Sequence, residues 1–201
     1  MLSRSRYPEV RSQMTEVRTF IAITMTNEIK ESLSNIQTEL KKAEADVKWI
    51  EPQWLHITLK FIGNVLIGQL ESICQIVLES TSDSAQFQLS LSSLSAFPNL
   101  SSPKIIWVGV DKGREECIQL SKRIDNNLNK LGFPVESKGF LPHLTLGRVK
   151  SSCGRNELSK LMAELQTKSF GQMSVSAVEV MGSQLTPKGA IYTTLRELEL
   201  H

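Results

Sequence analysis

The tetrapeptide His-Ile-Thr-Leu at 56–59 returns as His-Leu-Thr-Leu at 143–146, and His143 minus His56 is 87, close to half of a 201-residue chain. One long repeat of this kind is no solenoid. It predicts two related units about a pseudo-twofold axis with a cleft between them. The surrounding patterns agree. Val17 to Ile23 is β-branched and aromatic, and Ile29, Leu33, Ile36 and Leu40 recur on one helical face. Trp54 to Ile62 reads as a strand, Gly68 to Ser80 as a helix carrying Leu70, Ile73, Ile76 and Val77, and Phe87 to Leu94 as a strand.

The same order then repeats. Ile105 to Val110 is a predicted strand, Glu115 to Leu131 a helix with Leu120, Ile124, Leu128 and Leu131 inward, and His143 to Val149 a strand. Asn156 is the expected cap of a helix burying Leu158, Leu161 and Leu165, and Val175 to Met181 is the last equivalent strand. Adding the same 87 to Val17 gives Lys104, at the start of the matching strand. Thr186-Pro187-Lys188-Gly189 favours a type I turn that folds Ala190 to Leu200 back as a hairpin completing one sheet. The expected fold is α+β: two pseudo-symmetric lobes with antiparallel sheets flanked by helices, and a central cleft carrying the two His-x-Thr motifs.

Residues 1–16 lack periodicity and read as a flexible extension, leaving 17–201 as a single bilobal domain. A formal net charge of +2 gives no broad basic footprint for duplex nucleic acid, so a polyanion would be gripped locally. Cys74, Cys117 and Cys153 are odd in number and far apart, which indicates neither a disulfide framework nor a zinc knuckle. No apolar run reaches membrane-spanning length. A cytoplasmic monomer with no membrane contact is expected.

Only three histidines are present, and the third, His201, is terminal and carries no expected function. Side chains alternate along a strand, so His56 and Thr58 share one face while Ile57 and Leu59 enter the core, and His143 and Thr145 do the same in the second copy. A lone strand histidine is most often a packed, hydrogen-bonded imidazole. A Thr two residues after a His arises by chance roughly 1 time in 20, so two coincide on the order of 1 time in 400. Duplication of a structural histidine remains the competing explanation.

A pseudo-twofold axis would face the two imidazoles across the cleft. That arrangement suits in-line displacement at phosphorus, where a base deprotonates the attacking water and an acid protonates the departing oxygen. Histidine fits both roles near neutral pH, its ordinary pKa being about 6.5. The hydroxyls of Thr58 and Thr145 would donate to the non-bridging phosphate oxygens as charge builds there. No metal is expected, since neither motif has a further His, Asp, Glu or Cys at ligand spacing and Lys60 is expected on the His56 face. No other cofactor is indicated.

Trp49, His-Ile-Thr-Leu-Lys-Phe-Ile-Gly at 56–63, Phe-Leu-Pro-His-Leu-Thr-Leu-Gly-Arg-Val at 140–149 and Leu-Thr-Pro-Lys-Gly at 185–189 together resemble one known family. It is the RNA 2′,3′-cyclic phosphodiesterases, historically 2′-5′ RNA ligases, of the two-histidine phosphoesterase superfamily. The resemblance runs from about Val17 to Leu200. It implies metal-independent hydrolysis of RNA 2′,3′-cyclic phosphate ends to 2′-phosphate, with His56 as proton donor and His143 as acceptor. Thr58 and Thr145 match its phosphate-contacting positions, and Phe140 and Arg148 match an aromatic and a basic residue at the substrate. Implied partners are single-stranded RNA ends or nucleotides bearing a cyclic phosphate.

Physical chemistry qualifies two of these residues. Phe140 suits base stacking or core packing equally, and strict alternation sends Arg148 to the face opposite His143 unless Gly147 permits a bulge. Trp49, Trp54 and Trp107 are expected in the lobe cores, and Lys104, Lys138, Lys150 and Lys188 as solvated charges with a minor pull on RNA. Two alternatives stay open: a phosphoesterase or ligase acting on 2′-5′ linked oligonucleotides or other cyclic nucleotides, and a silent module that binds RNA ends.

Overall fold

In the computed structural model of the chain, which describes residues 16–137, 139–186 and 189–201, Ile29, Leu33, Ile36 and Leu40 form the buried stripe of α1 (Asn27–Lys41). The Thr26 side chain caps it by accepting the Ile29 N–H. The other helices are α2 (Leu70–Thr81), α3 (Arg114–Asn129) and α4 (Arg155–Glu164). α4 starts two residues earlier than its sequence suggests. Gly154, not Asn156, caps it at φ 64°, and a Cβ there would stand 2.6 Å from Ala43 O. Only glycine fits that approach.

The strands are β1 (Glu16–Thr24), β2 (Val47–Trp49), β3 (His56–Leu66), β4 (Phe87–Phe97), β5 (Ile105–Val110), β6 (His143–Val149), β7 (Ser169–Val175), β8 (Ala177–Thr186) and β9 (Gly189–Glu199). The strand expected to begin at Trp54 begins at His56, and Trp54 lies in a single 3-10 turn over Pro52–Trp54. β2 and β7 leave no strand pattern in the sequence. β2 has three residues, and β7, an edge strand, buries only Phe170 and Val175 among Ser, Gly and Gln. Thr186 pairs with Gly189 to close the expected hairpin; its central residues, 187 and 188, lie outside the described residues. So does the extension expected at the N-terminus, apart from Glu16, which pairs with Leu66.

All ladders are antiparallel and run β7-β4-β5-β6-β3-β1-β8-β9, with β2 on β6. The two expected sheets are therefore one sheet, pinched at β3 and β6, where Ile57 opposite Leu144 makes the junction. The lobes are also not the halves of the sequence. β4 crosses to pair with β5, and β8 crosses back to pair with β1. The helices interleave as well: α3 packs on β3 and α2, while α1 packs on β7 and α4.

Helices cover one face of the sheet. Ile21, Ile23, Ile57, Leu59, Ile106, Val108, Leu144 and Leu146 point into that layer and are buried. On the opposite face Phe20, Ala22 and Met181 form a separate small cluster with Tyr192. That face is the cleft. His201 is not loose, because its N–H donates to Ser84 O (2.9 Å) and its carbonyl accepts from Gln86 N (3.1 Å).

The numerical offset holds in β3 and β6 but slips in the first strand of each repeat. The ladder sets Gly109 opposite His143 as it sets Thr24 opposite His56, so Gly109, not Asp111, is the counterpart of Thr24. Extra residues in the turn from β5 to α3 absorb the difference.

Candidate active site

Each histidine opens its strand, and each imidazole is fixed in the same way. His56 Nδ1 lies 2.7 Å from Trp54 O, and His143 Nδ1 lies 2.8 Å from Leu141 O, in both cases the carbonyl two residues earlier. A carbonyl only accepts, so both Nδ1 atoms carry hydrogen, leaving Nε2 as the atom that gains or loses a proton. Thr58 and Thr145 follow on the same face, and all four residues line one cavity of about 1000 Å³. That volume is within the range of small-molecule sites.

Beyond the threonines both strands bulge. On β3 the partners of Ala22 and Ile21 are Thr58 and Lys60, so Leu59 is an extra residue; on β6 the partners of Trp107 and Ile106 are Thr145 and Gly147, so Leu146 is extra. A bulge inverts the alternation that follows it. Arg148 accordingly comes round to the cleft and lines the cavity, as the resemblance implied and strict alternation did not. Lys60 swings the other way. It does not share the His56 face: its ammonium pairs with Asp125 of α3 under the sheet and donates to Pro134 O at 2.7 Å.

Both bulge carbonyls are met from the helix layer. Ser121 Oγ donates to Leu59 O (2.7 Å), and Gln37 Nε2 donates to Leu146 O (3.0 Å) and Ile50 O (2.7 Å). Gln37 and Ser121 are buried, so each hydrogen bond offsets the desolvation of two groups. The distortion that aims Arg148 is thereby locked from behind.

Aromatic rings wall the two imidazoles. Phe20 (5.0 Å between centroids) and Tyr192 (5.6 Å) flank His56, with Trp54 against Tyr192 at 5.5 Å. Phe97 (5.3 Å) and Trp107 (5.9 Å) meet His143 edge to face and stack on each other at 5.0 Å. Trp54 and Trp107 thus belong to the histidine surroundings rather than to a core, and Trp49, half-buried, lines the cavity while packing on the core. Phe140 does both as well. Lys150 lines the cavity, Lys104 is exposed, and Lys138 and Lys188 fall outside the described residues. Burial in this aromatic setting pulls the His56 pKa below its ordinary value, against the Trp54 hydrogen bond and the charge of Glu179.

The sequence profile of the LigT like phosphoesterases matches the chain twice, over residues 23–107 and 108–192. The chain belongs to that family. A Methanothermobacter thermautotrophicus protein named RNA 2′,3′-cyclic phosphodiesterase is 38% identical over 92% of this chain and the whole of that protein. An Archaeoglobus fulgidus protein of the same name is also 38% identical, over 91% of this chain and all of its own length. A crystal structure from Thermus thermophilus superposes with a TM-score of 0.78 at 25% identity, covering 91% of this chain and 97% of that one.

For a LigT like phosphoesterase, the residues that sequence reasoning overlooked are those brought in by the bulge and by strand crossing. Phe61 sits where Arg148 sits in the other repeat, 63% exposed on the cavity wall. Applying the His56-to-His143 offset backwards from Arg148 would have found it. Tyr192 and Glu179 come from β9 and β8, and no local pattern ties those strands to His56. Among the described residues no cluster of three His, Cys, Asp or Glu is placed to share a metal ion, and no helix is long and apolar enough to cross a membrane.

Proposed function

We propose that this chain opens 2′,3′-cyclic phosphates at RNA ends to 2′-phosphates, with His56 and His143 making both proton transfers and no metal taking part. The observation that carries this reading is the matched pair of imidazoles, each anchored through Nδ1 and lining one cavity from an equivalent strand. The names of the archaeal relatives point to the same substrate.

In the proposed reaction His143 Nε2 takes a proton from water, whose oxygen attacks phosphorus. The bond from phosphorus to the ribose 3′ oxygen breaks, and His56 Nε2 gives that oxygen its proton, leaving the phosphate on the 2′ oxygen. The donor and acceptor labels follow the family resemblance. Thr58 and Thr145 stand beside the histidines to donate to the non-bridging oxygens, and Arg148 adds charge-assisted hydrogen bonds from the rim. The ring faces of Phe61 and Phe140 suit the terminal base.

The deciding experiment incubates a short RNA ending in a 2′,3′-cyclic phosphate with the protein in excess EDTA and resolves 2′- from 3′-phosphate product. The reading expects 2′-phosphate from the wild type and none above background from His143→Ala. A 3′-phosphate product, or activity that EDTA abolishes, would sink it.

A further inference from the structure

The strand geometry treats His56 and His143 alike, so by itself it gives neither a reason to be the proton donor. The neighbouring strands break the symmetry. Ala22 stands opposite Thr58 and Trp107 opposite Thr145; one strand further out, Glu179 pairs with Ala22 and Ser95 pairs with Trp107. The place filled by a carboxylate on the His56 side is filled by a serine on the His143 side. The carboxylate is also held on both oxygens. Thr24, the ladder partner of His56, donates to Oε1, and Thr194 Oγ1 donates to Oε2 at 2.7 Å.

Building on the acid and base roles proposed above, we propose that Glu179 is the positioning residue that offsets the apolar surroundings of His56 and so lets it serve as the proton donor. His56 is packed against Phe20 and Tyr192, and an apolar setting disfavours an imidazolium. A neutral His56 has hydrogen on Nδ1, already spent on Trp54 O, and none on Nε2 to donate. The negative charge of Glu179 counters burial and favours the form with hydrogen on both nitrogens. Two threonine donors hold that carboxylate in place. The other ionisable groups on the cavity wall are Arg18, Lys48, Glu51, Lys60, Lys122, Asp125, Glu136, His143, Arg148, Lys150 and Tyr192, and Glu179 is the carboxylate whose charge bears on His56.

The test is an NMR titration of the His56 and His143 Cε1–H resonances in the wild type, Glu179→Gln and Glu179→Asp. Gln preserves size and one of the two accepted hydrogen bonds while removing the charge, the other threonine having to accept from the amide NH2 instead, and Asp keeps the charge should Gln disturb folding. The His56 midpoint is expected to fall by about one pH unit in Glu179→Gln, with His143 unmoved and the Asp variant in between. With cyclic phosphate substrate, kcat at pH 7 should fall ~10-fold with little change in KM, and the alkaline limb should move to lower pH with His56. An unmoved His56, or both histidines moving together, would overturn the proposal. Should the wild type fail to hydrolyse cyclic phosphate, the reaction reading falls while the titration still decides the role of Glu179.

Discussion

Lys60 and Gly147 occupy the same position in the two repeats, one residue past each bulge, and solve it in opposite ways. Lys60 carries a buried ammonium matched by Asp125 of α3, whereas Gly147 carries no side chain because β2 lies against it. A Cβ on Gly147 would come within 2.8 Å of Val47 Cγ1 and 3.0 Å of Trp49 Cε3.

Gly147→Val should therefore push β2 off β6 and turn Arg148 away from the cavity. Overpacking of this kind costs about 1 to 3 kcal/mol. Thermal denaturation should show the loss of stability, and steady-state kinetics should show KM rising more than kcat falls, since the role proposed for Arg148 is to bind phosphate rather than to move a proton. A variant with wild-type KM would mean that the bulge does not set the Arg148 direction.

Lys60→Ala leaves Asp125 buried without its cation. Breaking a buried pair from one side typically costs about 3 to 5 kcal/mol, whereas replacing both partners with apolar residues of like size is often neutral. The single variant should show a much lower urea midpoint, and Lys60→Met combined with Asp125→Leu should recover most of it. Lys60 faces away from the histidines, so the double variant should keep its turnover number. Loss of turnover in a stable double variant would give Lys60 a part in the chemistry.

Much of this arrangement was legible in the sequence, and what escaped has a common cause. Hydrophobic period tells which face of an element is buried, so Ile29, Leu33, Ile36 and Leu40, and again Leu120, Ile124 and Leu128, marked their helices correctly, whereas Leu131, expected inward, lies past the end of α3 and is exposed. It also set Ile57 and Leu144 inward and the two histidines outward. Period does not name the neighbouring strand, so the exchange of β4 and β8 between lobes left no local trace, and with it went Glu179 and Tyr192. Nor does period show an extra residue. Leu59 and Lys60, like Leu146 and Gly147, are consecutive buried residues that read as ordinary alternation until the ladder partners are known.

Alanine at either His56 or His143 should cost at least ~10²-fold in kcat, the usual size of a general acid or base contribution. Both rings are half-buried against other rings, so some loss of packing accompanies the change. His143→Gln is the better control, because it fills the space without the proton chemistry. Equal turnover in His143→Gln and the wild type would remove His143 from the mechanism.

The lowered His56 pKa also has a consequence for stability. Burial holds the folded-state value below the ordinary one, so between the two the unfolded chain binds a proton that the folded chain does not. Stability from this group is present above the ordinary histidine value of about 6.5 and is lost as pH falls through that value toward the folded one. Urea midpoints measured from pH 7.5 to pH 5 should decline more steeply for the wild type than for His56→Gln, which has no proton to take up. A bound phosphate supplies the negative charge that an imidazolium prefers, so saturating inorganic phosphate should flatten the wild-type decline. Parallel curves for the two proteins would show that His56 titrates alike folded and unfolded, and that the aromatic wall does not set its charge.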